Sequence, residues 1–224
     1  MFCYKLRGAI FTLLLGSAGW LVGPAVAQSL HTHQHSFGGA ENWAQIFDDP
    51  KRDAAQKPHE VIQALALKPD AVVADIGSGT GYFSARFSHF VPKGRVYGVD
   101  TEPDMVKYLA ERAQREKLTN VTAIAGTPED PRLPEKVDLI VMVDVFHHIE
   151  KRVSYLKKLQ GSLKPGGRIA VIDFRMKSPD GPPKDGRITP DGVKKEFQGA
   201  GYAFLQEHKF LPNQYFLIFG PSKK

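Results

Sequence analysis

Three glycines at alternate positions follow an acidic residue in the first half of the chain. They lie in the run Asp75-Ile76-Gly77-Ser78-Gly79-Thr80-Gly81. Because glycine has no Cβ atom, alternate glycines allow the backbone to approach a ligand closely. The sequence therefore predicts a ligand-binding loop over residues 77–81.

A second carboxylate, Asp100, comes 19 residues after Gly81. A carboxylate can accept hydrogen bonds from both hydroxyls of a ribose, a contact that enzymes binding NAD also use. The dinucleotide fingerprint G-x-G-x-x-G requires a further glycine at position 82 or 84, and these positions hold Tyr82 and Ser84. The pattern therefore indicates a nucleoside-containing ligand but disfavours a dinucleotide.

Polar side chains also follow the apolar run 137–143, where Asp144, His147 and His148 come next in the chain. Aspartate and histidine are common proton acceptors in enzymes, and we take Asp144 and His147 as the candidate catalytic residues. A structural interpretation stays open for each, in which Asp144 caps the following helix and a histidine packs against the wall of the pocket. Asp173 could border the same pocket.

Strand-like and helix-like segments alternate along most of the chain. The predicted strands are 71–76, 95–100, 121–125, 137–143 and 168–174, and the predicted helices between them are 81–90, 102–118 and 152–163. The run Lys-Pro-Gly-Gly over 164–167 is predicted to end the last of these helices and form a turn before the strand 168–174. Short buried strands that alternate with helices favour a doubly wound α/β fold, with a mostly parallel sheet covered on both faces. Ligands bind such sheets at the carboxyl edge. The glycine-rich loop after Asp75, the carboxylate of Asp100 and the polar residues 144–148 would all lie at this edge.

The two ends of this region differ from the alternating pattern. Residues 41–67 are predicted to form an N-terminal cap of two helical segments, the second with Pro58 in its first turn. Residues 176–192, rich in proline and glycine, are predicted to form a long loop. A helix over 191–198 and two strands over 204–210 and 214–219 follow. Because only three residues separate these strands, they are expected to be antiparallel to each other.

Four motifs in this order resemble those of the class I S-adenosylmethionine-dependent methyltransferases, and the resemblance covers about residues 58–220. The motifs are the runs 74–84, 100–105, 144–149 and 163–168. The resemblance implies a Rossmann-like methyltransferase fold with seven strands and an antiparallel last strand. It also implies S-adenosyl-L-methionine as cofactor, with Asp75 holding its amino group and Asp100 its ribose.

The resemblance assigns a set of cofactor-binding residues. Met105 corresponds to a methionine that packs on adenine in the family, although an ordinary core position is an equal alternative. Thr127 stands where many members have aspartate, so the contact to the adenine amino group is expected from a backbone group, Glu129 or Asp130. The full set is Asp75, Gly77, Ser78, Gly79, Gly81, Asp100, Thr101, Met105, Thr127, Pro128 and Asp144.

Residues 1–27 have the pattern of a secretory signal peptide. Lys5 and Arg7 precede an apolar stretch over 9–22, and Ala25-Val26-Ala27 suits cleavage before Gln28. The stretch of 14 residues is short for a bilayer span, which needs about 20 residues, although an uncleaved anchor stays an alternative. We therefore expect an exported protein, periplasmic or secreted, with a methyltransferase domain over 41–224.

Residues 28–40 are predicted to be a flexible leader, in which His31, His33 and His35 alternate. These histidines are weak candidates for metal binding, because no fourth ligand accompanies them, and no metal cofactor is predicted. The one cysteine, Cys3, precedes the cleavage site, which excludes chemistry that needs protein thiols. The net charge is +6, but the basic residues are interspersed with acidic residues and form no basic patch in the sequence. Nucleic acid is therefore not an expected partner.

The leading hypothesis is a methyltransferase that acts on a small molecule or an exposed protein group. Export favours an alternative, because S-adenosylmethionine is made in the cytoplasm: an exported, non-catalytic ligand-binding protein on the same scaffold. The third hypothesis gives the histidine leader a metal-handling role. The sequence identifies neither the acceptor nor an oligomeric state.

Overall fold

The computed structural model describes residues 39–222, which form one mixed sheet with helices on both faces. The strands are β1 Val72–Ile76, β2 Arg95–Asp100, β3 Val121–Ala125, β4 Val137–Val143, β5 Leu163–Phe174, β6 Tyr202–His208 and β7 Gln214–Pro221. The helices are α1 Ala40–Phe47, α2 Lys51–Gln56, α3 Pro58–Ala64, α4 Tyr82–Phe90, α5 Pro103–Arg115, α6 Arg152–Leu159 and α7 Pro190–Gly199. Short 3-10 helices cover Phe146–His148, Gln160–Ser162 and Lys184–Gly186.

The strand order is β3-β2-β1-β4-β5-β7-β6. Pairing is parallel from β3 to β5, whereas β7 is antiparallel to both β5 and β6. The predicted doubly wound sheet of seven strands with an antiparallel last strand is confirmed. Because β1, β2, β4 and β5 point the same way, their carboxyl ends share one edge of the sheet.

Apolar side chains on the two faces of the sheet form two cores. One core joins the sheet to α3, α4 and α5 through residues such as Ile62, Phe87 and Leu109. The other joins it to α6 and α7 through Leu156 and Phe197. All five residues of β1 are buried, as expected for a central strand covered on both faces.

The N-terminal cap has three helices where the sequence indicated two helical segments, and it begins at Ala40, one residue before the predicted boundary. Pro50 precedes α2, and Lys57, in a left-handed conformation with φ of 44°, ends it. Pro58 occupies the first turn of α3, as predicted. The additional helix, α2, carries side chains into the candidate site.

The predicted boundary of β5 is wrong. Its pairing with β4 begins at Leu163, opposite Val137, and resumes with Arg168 opposite Leu139. Residues 164–167, predicted to form a turn before the strand, are therefore an irregularity inside it. The preceding helix correspondingly ends at Leu159, four residues before its predicted end at 163.

The signal peptide, most of the leader and its three histidines lie outside the described residues, so those interpretations stay predictions. Within residues 39–222, no helix is both long and apolar enough to cross a membrane. The same range contains no group of three or more metal-ligating side chains placed to hold an ion.

Candidate cofactor and acceptor site

The glycine-rich loop turns tightly at the carboxyl end of β1. Gly77, Gly79 and Gly81 have φ angles of 71°, 53° and 85°, a left-handed region that favours glycine. The backbone N–H groups of Gly77 and Ser78 both donate to the carbonyl of Val99 in β2, at 2.7 and 3.0 Å. The alternate glycines therefore allow one short loop to bend back against β2 and enter α4.

Two hydroxyl groups of this loop are buried and have no hydrogen-bond partner among the described residues: Ser78 Oγ and Thr80 Oγ1. Buried polar atoms normally have partners, since leaving one unpaired costs about 1–3 kcal/mol. Two unpaired hydroxyls between glycines are what a polar ligand lying along the loop would satisfy. This part of the predicted site fits a bound cofactor.

Asp100 lies beside the loop at the end of β2. Its two carboxylate oxygens accept hydrogen bonds from the backbone N–H groups of Gly79, at 2.8 Å, and Glu102, at 3.0 Å. Burial raises the pKa of Asp100, an effect that these backbone hydrogen bonds oppose. Each oxygen can accept a second hydrogen bond, so the oriented carboxylate fits the ribose contact that the sequence predicts.

Asp75 is 3% exposed and accepts a hydrogen bond from Ser84 Oγ of α4 at 2.6 Å. Burial raises the pKa of Asp75 to about 6, helped by the negative charge of Asp100 and opposed by the Ser84 hydrogen bond. In this structure Asp75 therefore connects the strand to the helix that follows the loop. Its predicted contact with a cofactor amino group stays a prediction.

The remaining cofactor candidates lie around the same edge. Thr127 and Asp130 exchange backbone hydrogen bonds across Pro128, and Gly126 N–H donates to the Asp100 carbonyl at 2.9 Å. This turn therefore adjoins Asp100. Thr101 is exposed beside Asp100, and Met105 is 1% exposed in the first turn of α5, which makes it a core residue here.

Asp144 lies between the cap and the last strand. Its oxygens accept hydrogen bonds from the side-chain amides of Gln56 in α2, at 2.6 Å, and Gln214 in β7, at 2.5 Å. The nearest guanidinium nitrogen of Arg52 is 4.0 Å away. Burial, with the negative charge of Asp173 as the second cause, raises the pKa of Asp144 to about 7.

The alternative interpretation of Asp144 as a helix cap is wrong. The following 3-10 helix begins after Val145, and no side chain in the described part of the chain caps it. The backbone of Asp144 has a φ of 58°, unusual for a residue with a side chain, and its carboxylate turns to the two glutamines instead.

His147 and Asp173 form a buried pair at the carboxyl edge of the sheet, where β4 and β5 end. Nδ1 of His147 lies 2.9 and 3.0 Å from the two carboxylate oxygens, and its backbone N–H donates to the same carboxylate at 3.2 Å. The side chains are 6% and 4% exposed. The structure thus brings both predicted catalytic residues to one edge, and adds Asp173 as the partner of the histidine.

The cap covers the glycine-rich loop. A Cβ atom added at Gly79 would lie 3.5 Å from the ring of Phe47, so this ring packs over the loop. The guanidinium of Arg52 lies over the ring of Tyr82, at 4.4 Å, and donates to the Phe47 carbonyl. Arg112 of α5 binds both Asp48 of the cap and the Thr80 carbonyl of the loop.

Arg52, Gln56 and Gln214 are site residues that the sequence did not identify. None belongs to a motif, and the two glutamines are 88 and 70 positions from Asp144 in the chain. Nothing in the local pattern distinguishes them from surface glutamines and arginines.

A model of the methyltransferase domain family matches residues 67–200, more than half of the chain, and includes the glycine-rich loop, Asp100 and His147. The chain belongs to the class I S-adenosylmethionine-dependent methyltransferases. The match extends from just before β1 to the end of α7, so it covers the parallel strands of the chain but neither its cap nor its last two strands.

A solved S-adenosylmethionine-dependent methyltransferase from Aquifex aeolicus is similar to this chain over 80% of the chain and 96% of its own length. The TM-score is 0.74 at 26% identity. The C-methyltransferase UbiE of ubiquinone and menaquinone biosynthesis from Shewanella frigidimarina is 30% identical over 117 residues, 50% of this chain and 46% of the relative. Trans-aconitate 2-methyltransferase from Rhodopseudomonas palustris is 28% identical over 132 residues, 59% of this chain and 48% of the relative. The chain thus spans about half the length of these curated relatives.

Proposed function

We propose that this methyltransferase transfers the methyl group of S-adenosylmethionine to an acceptor bound at the carboxyl edge of the sheet. The observation that carries the proposal is the loop between β1 and α4, beside the oriented carboxylate of Asp100. There, three left-handed glycines flank two buried hydroxyls that have no hydrogen-bond partner within residues 39–222.

Separate residues would bind the cofactor and the methyl acceptor. When bound, the cofactor supplies a methyl group activated by attachment to a positively charged sulfur. Ser78 and Thr80 offer hydroxyls to it, and Asp100 offers its carboxylate to the ribose. The acceptor would lie beyond them, towards Asp144 and His147, which follow the neighbouring strand β4.

The chain's contribution to such a transfer is alignment and exclusion of water. Transfer of a methyl group from a sulfonium is an in-line displacement, for which correct placement of the reactants is the main requirement. Phe47 of the cap lies over the loop, and Arg52 lies over Tyr82 at the start of α4. Both would shield the reacting groups from solvent. A non-catalytic binding role would require the same loop but not the candidate base His147.

Calorimetry with S-adenosylmethionine and S-adenosylhomocysteine on the purified protein tests the cofactor site. We expect both to bind, and Asp100→Asn to weaken both by about 10- to 100-fold, because a charge-assisted hydrogen bond contributes about 1.5–3 kcal/mol. Asp70→Asn is the matched control, since Asp70 is exposed at a loop before β1.

The outcomes separate the two candidate functions. Failure of both ligands to bind contradicts the proposal. Methyl transfer to any acceptor from a metabolite extract, followed with a radiolabelled methyl group, supports it. Binding of both ligands without transfer to any acceptor favours the non-catalytic alternative.

We also propose that residues 1–27 direct export and are removed before Gln28. The sequence pattern of a charged start, an apolar stretch of 14 residues and Ala25-Val26-Ala27 supports this. Mass spectrometry of the protein recovered from the periplasm or medium is expected to give Gln28 as the first residue. Recovery from the cytoplasm with residues 1–27 intact would contradict export.

A further inference from the structure

The pairing of His147 with Asp173 determines which nitrogen of the ring can accept a proton. Asp173 is a buried carboxylate, and its oxygens lie 2.9 and 3.0 Å from Nδ1 of His147. A carboxylate accepts hydrogen bonds, so it stabilises the tautomer with the proton on Nδ1. The opposite nitrogen, Nε2, then carries a lone pair and can take up a proton.

Asp144, the other catalytic candidate, is arranged differently. Each of its oxygens already accepts a hydrogen bond from an amide, one from Gln56 and one from Gln214, and both glutamines are buried. These contacts join the cap to the last strand across the site. Asp144 therefore has the surroundings of a structural and electrostatic group, while His147 has those of a base with an orienting partner.

The charges around the acceptor side disfavour an anionic acceptor. Two carboxylates, Asp144 and Asp173, are present, and a guanidinium nitrogen of Arg52 lies 4.0 Å from Asp144. The guanidinium of Arg52 is already engaged by the Phe47 carbonyl and Gln56 Oε1, at 2.8 and 2.9 Å. Among residues 39–222, an acceptor carboxylate buried beside Asp144 and Asp173 would find the guanidinium nearest to Asp144 already engaged, so burying its charge there would be strongly unfavourable.

We infer that the acceptor is an uncharged hydroxyl group, that His147 takes its proton, and that Asp173 is the positioning residue for that histidine. The inference rests on the proposed methyl transfer, and it adds the class of acceptor and the separate roles of the two acidic residues.

The step balances with these groups alone. A lone pair of the acceptor oxygen forms the new bond to the methyl carbon, and the bond from that carbon to sulfur breaks with its electrons remaining on sulfur. The hydroxyl proton moves to Nε2 of His147. The products are a methyl ether, the uncharged thioether and an imidazolium paired with Asp173, which passes its proton to solvent before the next turnover.

A panel of small probes tests the acceptor class. Phenol, catechol and benzyl alcohol are the hydroxyl probes, and benzoate and phenylacetate are carboxylates of similar size. We expect methyl ethers from at least one hydroxyl probe and no methyl ester from either acid. Ester formation overturns the inference, and so does failure to methylate every hydroxyl probe by protein that binds the cofactor. Absence of cofactor binding would instead contradict the proposed function itself.

Two variants test the separate roles with the best hydroxyl probe. His147→Ala should lower kcat by about 10²- to 10⁴-fold, the usual contribution of a general base. Added imidazole should raise the kcat of this variant at least about tenfold. Asp173→Asn should lower kcat with KM changed less than about twofold, because an amide can donate to Nδ1 and place the proton on Nε2, where it blocks the base. Added imidazole should not raise the kcat of Asp173→Asn.

Normal cofactor affinity shows that a variant is folded, so a loss of rate can be separated from a loss of structure. His89→Ala is the matched control, since His89 is exposed near the end of α4, and it should leave kcat unchanged. Cofactor affinity of His147→Ala and Asp173→Asn should stay within about threefold of the parent. A normal kcat for His147→Ala, or a loss of rate that imidazole does not restore while cofactor affinity is normal, overturns the role of His147.

Discussion

Replacement of Gly77 by alanine should destabilise the protein through one identifiable contact. The glycine has a φ of 71°, and an added Cβ would lie 2.3 and 2.7 Å from the two Cγ atoms of Val145. A left-handed conformation costs an L-residue about 1–2 kcal/mol, and overpacking of this kind costs about 1–3 kcal/mol. We therefore expect Gly77→Ala to lower the free energy of unfolding by about 2–5 kcal/mol.

Urea unfolding of the purified protein measures this change, with Gly199→Ala as the matched control. An added Cβ at Gly199, the last residue of α7, meets no atom of residues 39–222 within 4 Å. Alanine is a better helix former than glycine by about 1 kcal/mol, so the control should be neutral or slightly stabilised.

A double-mutant cycle with Val145→Ala separates the two causes. The shorter side chain removes the atoms that the new Cβ would meet, so the clash of about 1–3 kcal/mol should disappear and the backbone cost of about 1–2 kcal/mol should remain. If Gly77→Ala were equally destabilising with and without Val145→Ala, the contact would not be the cause. A Gly77→Ala variant as stable as the parent would refute the reasoning altogether.

Three further outcomes follow from other contacts. Because the folded-state pKa of Asp144 is about 7, above its unfolded value, its stabilising contribution is complete at acid pH and is lost as the pH rises towards 7. Chemical unfolding at several pH values should therefore show Asp144→Asn gaining stability relative to the parent between about pH 4 and 7, by at most about 4 kcal/mol, and a pH-independent difference would contradict this. Ser78→Ala removes a buried hydroxyl that has no partner in the described part of the chain. Calorimetry should therefore show cofactor affinity about 2- to 10-fold weaker, while the free energy of unfolding is unchanged or raised, and lowered stability with normal affinity would count against a ligand-facing hydroxyl. Arg187 donates to five backbone carbonyls of the loop before α7, those of Arg175, Met176, Ser178, Asp180 and Pro182. Arg187→Met should make that loop the first site of limited proteolysis, whereas Arg115→Met on the surface of α5 should not, and equal resistance of the two variants would show that the loop does not depend on Arg187.

The parts of the fold and site that could be predicted are those encoded by neighbouring residues. Asp75, the three glycines and Asp100 fall within single strand-loop segments, so their spacing fixes their relation to the sheet edge. The antiparallel pair at the end followed from a connection of a few residues, because chain length alone prevents a crossover helix there.

The parts that could not be predicted depend on contacts between distant residues. Gln56 and Gln214 meet at Asp144 only because the cap and β7 are both brought to the end of β4. Likewise, Leu163 joins β5 because Val137 lies opposite it, against the local turn signal of residues 164–167. Tertiary pairing overrides local preference at such positions, and one sequence does not show which pairings will form.

The position of β7 between β5 and β6 has a consequence for synthesis of the chain. β7 follows every other strand of the sheet in sequence, yet it provides the neighbour of β5 on one side and of β6 on the other. Until residues 214–221 have left the ribosome, β5 has a bare edge with unpaired N–H and C=O groups, and β6 has no strand to pair with. A nascent chain can therefore assemble β1 to β5 early, but the sheet closes in a single late event, and a ribosome that stalls before residue 214 leaves an open strand edge exposed to other chains.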